Sequence, residues 1–129
     1  MPHPALSANN VAVITGGASG IGLAAAKEFA SLGMKVCIAD VDAVRLKEAE
    51  IKLSSIAPGG ADSVMAAVVD VSRAESVTEL EGAVRNRFGG TDVLMNNAGI
   101  QPGSTMFGAP DNWQRVIGIA CDTAMAALP

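Results

Sequence analysis

A chain of 129 residues, half of them hydrophobic and 17% charged, is one domain in size, and it can bury roughly two thirds of its unfolded surface rather than stay disordered. Its net charge of −4 argues against a nucleic-acid groove or a polybasic membrane surface, and no segment approaches the roughly 18 apolar residues of a membrane helix. Cys37 and Cys121 have neither CxxC nor metal spacing, so Cys37, inside an apolar run, is expected to be a free structural thiol in a cytoplasmic protein.

Taken in chain order, Met1 to Asn10 lack both a basic n-region and an apolar h-region, so they do not form a secretory signal. Residues 1–9 read as a loose tail, with His3 a solvated bystander. Val11 to Thr15 is an apolar run closed by a threonine and predicts a buried first strand. A glycine-rich turn follows. A helical pattern then begins near Gly20, with Ile21, Ala25, Phe29 and Leu32 as its expected apolar stripe and Gly33 as its stop. Lys35 to Ala39 is a short second strand closing on Asp40, and Leu46, Ala49, Leu53 and Ile56 give a second helix that Pro58-Gly59-Gly60 breaks. Val64 to Val69 is a third strand ending at Asp70. Ser72-Arg73-Ala74-Glu75 has the pattern of a capping box, and Val77, Leu80, Val84 and Phe88 form the stripe of the helix behind it, stopped by Gly89-Gly90. Asp92 to Asn96 makes a fourth strand, and a loop over 99–110 leads into a last helix from near Asp111.

Such alternation predicts an α/β fold: an incomplete doubly wound parallel sheet of about four strands with helices on both faces. Right-handed crossovers make 3-2-1-4 the natural strand order. The domain is expected over residues 10–119. Ligands of such sheets sit at the carboxyl ends of the strands, at the switch between strands one and four. There Gly16 to Gly22, Asp40, Asp70 and Asn97 would converge.

The turn reads Gly16-x-x-x-Gly20-x-Gly22, which differs from the usual G-x-G-x-x-G, and no Gly-Lys-Ser/Thr follows to make it a P-loop. A buried strand aims it, glycines let the backbone approach a ligand closely, and the helix N-terminus supplies N–H groups and partial positive charge to a phosphate. Taken alone, it is also readable as no more than a tight strand-to-helix connection. Asp40, 18 positions beyond Gly22, adds the second half of a dinucleotide site. A carboxylate there accepts from both ribose hydroxyls and repels a 2′-phosphate, so NAD is expected over NADP. Arg45, one turn further on, is the nearby cation that would favour the phosphate. Plainer roles compete: a helix cap for Asp40 or Asp42, a turn aspartate for Asp70, and an Asx-rich loop for Asn96-Asn97.

Taken together, Thr15-Gly16-Gly17-Ala18-Ser19-Gly20-Ile21-Gly22, Asp40, Asp70-Val71 and Asn96-Asn97-Ala98-Gly99 resemble the short-chain dehydrogenase/reductase family in order and spacing, over about Asn10 to Ile119. The resemblance implies a Rossmann fold and a nicotinamide dinucleotide. Gly16, Ser19, Gly20, Ile21 and Gly22 of the turn would hold the pyrophosphate, and Asp40 the adenosine ribose. Asp70 and the Val71 backbone would flank the adenine. Asn97, Ala98 and Gly99 would line the cofactor, with Asn96 steadying the sheet. It also implies hydride transfer between the nicotinamide and an alcohol or carbonyl. In the family a tyrosine serves as acid/base, a lysine four residues later lowers its pKa, a serine holds the substrate oxygen, and an asparagine supports a proton relay.

Here the chain departs from that pattern. It contains no tyrosine, Ala120 stands where the relay asparagine would be, and no lysine, arginine or serine follows Arg115. No catalytic residue is therefore assigned, and Met106 and Trp113 read as ordinary packing. Residues 120–129 lack the aliphatic stripe of a continuing helix and form a divergent tail. The expectation is the NAD-binding portion of such an oxidoreductase, cut short and inactive, with an exposed sheet edge through which it self-associates. The alternative is a non-catalytic nucleotide-binding or subunit-interaction module.

Overall fold

Strand runs and helical stripes assemble as the alternation requires. In the computed structural model, which describes residues 6–71 and 73–97, the order is β1 (Val11–Thr15), α1 (Gly20–Ser31), β2 (Lys35–Asp40), α2 (Ala43–Ile56), a 3-10 turn (Gly60–Ser63), β3 (Val64–Val68), α3 (Ala74–Phe88) and β4 (Val93–Asn96). The strands are parallel in the order β3-β2-β1-β4. Thr15 stands beside Ala39 on one side and Asn96 on the other, so the carboxyl ends of β1, β2 and β4 are level.

Because a strand alternates its side chains, the sheet sorts one core into two. Ala12, Ile14, Val36 and Ile38 pack with Ala26, Ala30, Leu46, Ala49 and Leu53 of α1 and α2. Val11, Val13, Cys37 and Ala39 pack with Val77, Leu80 and Val84 of α3 on the opposite face. Each Val or Leu so buried contributes about 1.5–3 kcal/mol. β1 and β2 are buried along nearly their whole length, whereas β3 and β4, at the two ends of the described sheet, are only partly covered.

Helix α1 corrects the expected stripe. Ile21 is 74% exposed and Leu32, at the C-cap, is 39% exposed, while the residues turned to the sheet are Gly22, Ala26 and Ala30. The fully buried line of the helix is made of small residues, while Phe29 of the expected stripe, with Leu23, is half-buried and packs at the edge of the same core. In α2 the stripe stands for Leu46, Ala49 and Leu53, but Ile56 is 39% exposed and Ala57 takes the last buried place. At the start of α3, Arg73 holds the N-cap without a side-chain cap bond, and its exposed guanidinium pairs with Glu75 at 3.5 Å. Ser72, the expected cap, lies outside the described residues. The Gly89 stop holds, with a left-handed φ of 91° at the cap.

Two side chains that sequence reasoning left unassigned fasten the amino end of the sheet. Asp92 accepts the Val11 N–H at 2.8 Å and returns its own N–H to the Val11 carbonyl at 2.9 Å. Arg87 donates to the Ala61 and Val64 carbonyls at 3.2 and 2.9 Å, tying the end of α3 to the start of β3.

Candidate dinucleotide site

The turn between β1 and α1 folds back over the end of β2. The Gly16 and Gly17 N–H groups both donate to the Ala39 carbonyl, at 2.7 and 3.2 Å, and the Ala18 N–H donates to Asp40 Oδ2 at 3.3 Å. Three successive amides are thereby committed to the protein itself. The chain then enters α1 through Ser19, extended at the N-cap and making no side-chain cap bond. The first intrahelical bond runs from Leu23 N–H to the Ser19 carbonyl at 3.2 Å. The amides of Gly20, Ile21 and Gly22 precede it and, by helix geometry, have no partner within the helix. They lie where the helix dipole is positive, and no acidic residue occupies the first turn.

The glycines of the turn divide two tasks. A Cβ on Gly22 would lie 2.3 Å from the Gly16 carbonyl oxygen and 2.7 Å from Asn97 Nδ2, so only glycine lets turn, helix and β4 meet. Gly20 has a left-handed φ of 58°, yet a Cβ there would meet nothing within 4 Å. Gly20 is needed for its conformation, and the space above it is open. That open space, bordered by helix amides and by the exposed Ile21 side chain, fits a diphosphate whose oxygens approach the backbone.

From the other side, β4 is locked to the turn. Thr15, fully buried, accepts the Asn97 N–H on Oγ1 at 3.0 Å, with its own proton directed to the Met95 carbonyl at 3.4 Å or Asn96 Oδ1 at 3.3 Å. Asn97 Nδ2 donates to the Gly16 carbonyl at 3.2 Å. These contacts bring together Gly16, Gly22, Asn96 and Asn97, as the strand order anticipated. Ala98 and Gly99, also expected here, lie outside the described residues, as do Met106, Trp113, Ala120, Cys121, His3 and the helix expected near Asp111.

Asp40 is more heavily engaged than its expected part as an acceptor for two ribose hydroxyls suggests. Besides Ala18, its Oδ1 accepts the Val41 N–H at 2.8 Å and the Asp42 N–H at 3.3 Å. The helix-cap role belongs to Asp42, which accepts from Val44 and Arg45 N–H at 3.1 Å each. Arg45 is held by the same Asp42 at 3.5 Å. Asp70 is exposed at the end of β3, its N–H on Ser76 Oγ at 3.1 Å and its carbonyl accepting from Arg73 N–H. Val71 is buried against α3. The β3 end joins the β2 end through Val69 N–H to the Asp40 carbonyl, 2.9 Å. Ala18 and Thr15 are the working residues that sequence reasoning did not single out. Only the hydroxyl at a strand end, just before the first glycine, pointed to Thr15, and nothing in a side chain points to an alanine amide.

Cys37 lies at the centre of the α3 face, where burial pushes its thiol up to about 12 and the Arg87 guanidinium opposes that shift weakly. It is a packing residue, distant from the turn by its place in the middle of β2. Among the described residues no group of acidic, histidine and cysteine side chains could hold a metal, and no helix is long and apolar enough to cross a membrane.

A family model described as short chain dehydrogenase matches residues 10–127, a span that runs past the boundary expected at Ile119. Meso-2,3-butanediol dehydrogenase of Serratia marcescens is 38% identical over 115 residues, covering 88% of this chain and 43% of that enzyme. A short chain dehydrogenase/reductase of Burkholderia phymatum, solved in complex with NAD, is 34% identical, with a TM-score of 0.78 over 95% of this chain and 42% of its own. L-sorbose reductase of Gluconobacter frateurii, solved with NADPH and L-sorbose, is 35% identical, with a TM-score of 0.79 over 94% of this chain and 47% of its own. The chain spans about two fifths of the length of several curated relatives that it matches.

Proposed function

We propose that this chain, which belongs to the short chain dehydrogenase family, binds the nicotinamide cofactor of an oxidoreductase and prefers NAD to NADP. The observation that carries the reading is the open ground over Gly20, set between the uncommitted amides at the start of α1 and the Thr15–Asn97 lock. In this reading Gly16, Ser19, Gly20, Ile21 and Gly22 hold the pyrophosphate. Asp40 receives the adenosine ribose, Asp70 and Val71 border the adenine, and Asn97, Ala98 and Gly99 line the way to the nicotinamide. The bound cofactor would supply hydride chemistry. The residues of this chain supply binding, orientation and the rigid end of the sheet.

Preference for NAD rests on charge. A 2′-phosphate beside the Asp40 carboxylate meets a like charge, and Arg45, the cation that follows Asp40 in the chain, is already paired with Asp42. Solved relatives carry both cofactors, NAD in one and NADPH in another, so the local charge rather than the family supports the choice. The acid/base tyrosine of the family is not among these 129 residues. We therefore assign them cofactor binding and not the proton transfer that accompanies reduction, a step worth on the order of 10²–10⁴ in rate. Two further expectations belong to the proposal, a cytoplasmic location and self-association through the sheet edge.

Titration of the chain with NADH and NADPH, followed by calorimetry or cofactor fluorescence, tests the reading. Binding of NADH at least about tenfold tighter than NADPH is expected, a difference of about 1.4 kcal/mol. A folded chain that binds neither overturns the cofactor assignment, and equal binding overturns the preference. Size-exclusion chromatography over a range of concentrations checks the association.

A further inference from the structure

We propose that Asp40 is a positioning residue for the anion-binding turn, shaping it before any ligand arrives, in addition to meeting the ribose. The carboxylate works in two directions. Oδ2 takes the Ala18 N–H at 3.3 Å, while Oδ1 takes the N–H groups of Val41 and Asp42 at 2.8 and 3.3 Å. One side chain thus joins the turn after β1 to the connection after β2, whose next residue, Asp42, caps α2. The neighbouring bonds run the same way, with Gly16 and Gly17 N–H both on the Ala39 carbonyl. Ala18 is the last residue so fastened and Ser19 begins the helix. The Asp40 contact therefore fixes the place at which amides stop serving the protein and become available to a ligand.

The arrangement also limits how Asp40 can meet a ribose. A carboxylate offers about four acceptor positions, and three are taken by backbone N–H groups. One hydroxyl can be accepted in the vacant position. That position is on Oδ2, beside the Ala18 N–H, and a second hydroxyl must displace one of the three amides. The group that distinguishes a 2′-hydroxyl from a 2′-phosphate is consequently the group that holds the turn, and cofactor choice is tied mechanically to the phosphate site.

Amide hydrogen exchange on the ligand-free full chain tests the positioning role directly. Asp40→Ala is expected to speed exchange at Ala18, Val41 and Asp42 by about tenfold or more, with the α2 and α3 core amides unchanged as the control for folding. Asp40→Asn keeps one oxygen and places a donor amide in the other arm, so it should release only one of the two sides. Unchanged exchange at Ala18 in both variants overturns the proposal. The ligand arm rests on the cofactor reading and compares ADP-ribose with inorganic pyrophosphate, which has no ribose. A residue that only binds ribose would leave pyrophosphate affinity in Asp40→Ala unchanged, or raise it through the loss of a negative charge. A positioning residue lowers it, and an undiminished affinity counts against the proposal. If the unmodified chain binds neither ligand, the cofactor reading falls, and the Ala18 exchange rate still decides the role of Asp40.

Discussion

The Thr15 hydroxyl, fully buried at the end of β1, accepts the backbone N–H of Asn97 at 3.0 Å, and through this bond the fourth strand is held to the first at the point where the turn begins. Thr15 is the one buried polar residue among the described core positions, and its neighbours Asn96 and Met95 supply acceptors for its proton. Thr15→Val keeps the shape of the side chain and removes the acceptor. It should lower stability by about 1–3 kcal/mol, read from urea midpoints, with faster amide exchange at Asn97. Thr15→Ser should recover most of the loss. A valine variant as stable as the parent would show that the Met95 carbonyl, 3.1 Å from the same N–H, suffices.

Two glycines in helices should respond in opposite senses to the same methyl group. Gly22→Ala drives a Cβ to within 2.3 Å of the Gly16 carbonyl oxygen and is expected to cost about 1–3 kcal/mol by overpacking. In Gly82→Ala, within α3, the added Cβ meets nothing within 4 Å. Relief of glycine's backbone entropy in a helix interior should stabilise that variant by about 0.5–1 kcal/mol. Thermal melts of the two variants beside the parent decide both. A stabilised Gly22→Ala would mean that the approach of α1 to the turn is looser than the geometry shows.

Stability should fall in alkali through Cys37. Burial holds its thiol neutral to about 12 against an ordinary 9.0. The unfolded chain therefore releases this proton first, and the contribution is intact below about pH 9 and is lost as pH rises towards 12. Stability drops by about 1.4 kcal/mol for each pH unit climbed between those two values, so the loss is roughly 4 kcal/mol at the top of that range. Denaturant midpoints against pH for the parent and for Cys37→Ala isolate it, since the two chains differ only at this side chain. Parallel curves would exclude the effect. The native thiol should also resist aqueous thiol reagents until the chain unfolds.

Arg87 is the side chain to change at the opposite end of the sheet. Its guanidinium donates to the Ala61 and Val64 carbonyls and lies 5.3 Å from the Phe88 ring centre, with Lys35 Nζ 5.8 Å from the same ring. Because Arg87 is exposed, solvent screens much of this, and Arg87→Met is expected to cost only about 1 kcal/mol. Exchange at the amides of the 3-10 turn should rise first. Cofactor affinity should stay as it was, which separates this end of the molecule from the other.

The strands were legible as short apolar runs, their order followed from right-handed crossovers, and the faces of α2 and α3 were marked by large aliphatic residues three to four apart. The face of α1 was not. Its buried residues are Gly22, Ala26 and Ala30, which carry little hydrophobic signal, while the conspicuous Ile21 is turned to solvent. Around the turn the residue types were readable, but their work was not. Asp40 meets the amides of Ala18, Val41 and Asp42, and Asn97 meets the Gly16 carbonyl. Backbone partners have no letter in a sequence, so these bonds emerge only once the chain is folded.

Helix α1 can be viewed as a lever resting on small residues. Ala30 lies eight residues from Gly22, about 12 Å along the axis, and Ala26 lies midway between them. A larger side chain at Ala30 would raise the far end of this rod and swing the near end, carrying the amides of Gly20 and Ile21 off their aim. The bearing of those amides is thus set along the whole rod, by methyl-sized spacers that never touch what the amides point towards. A screen for altered affinity confined to the turn would overlook them.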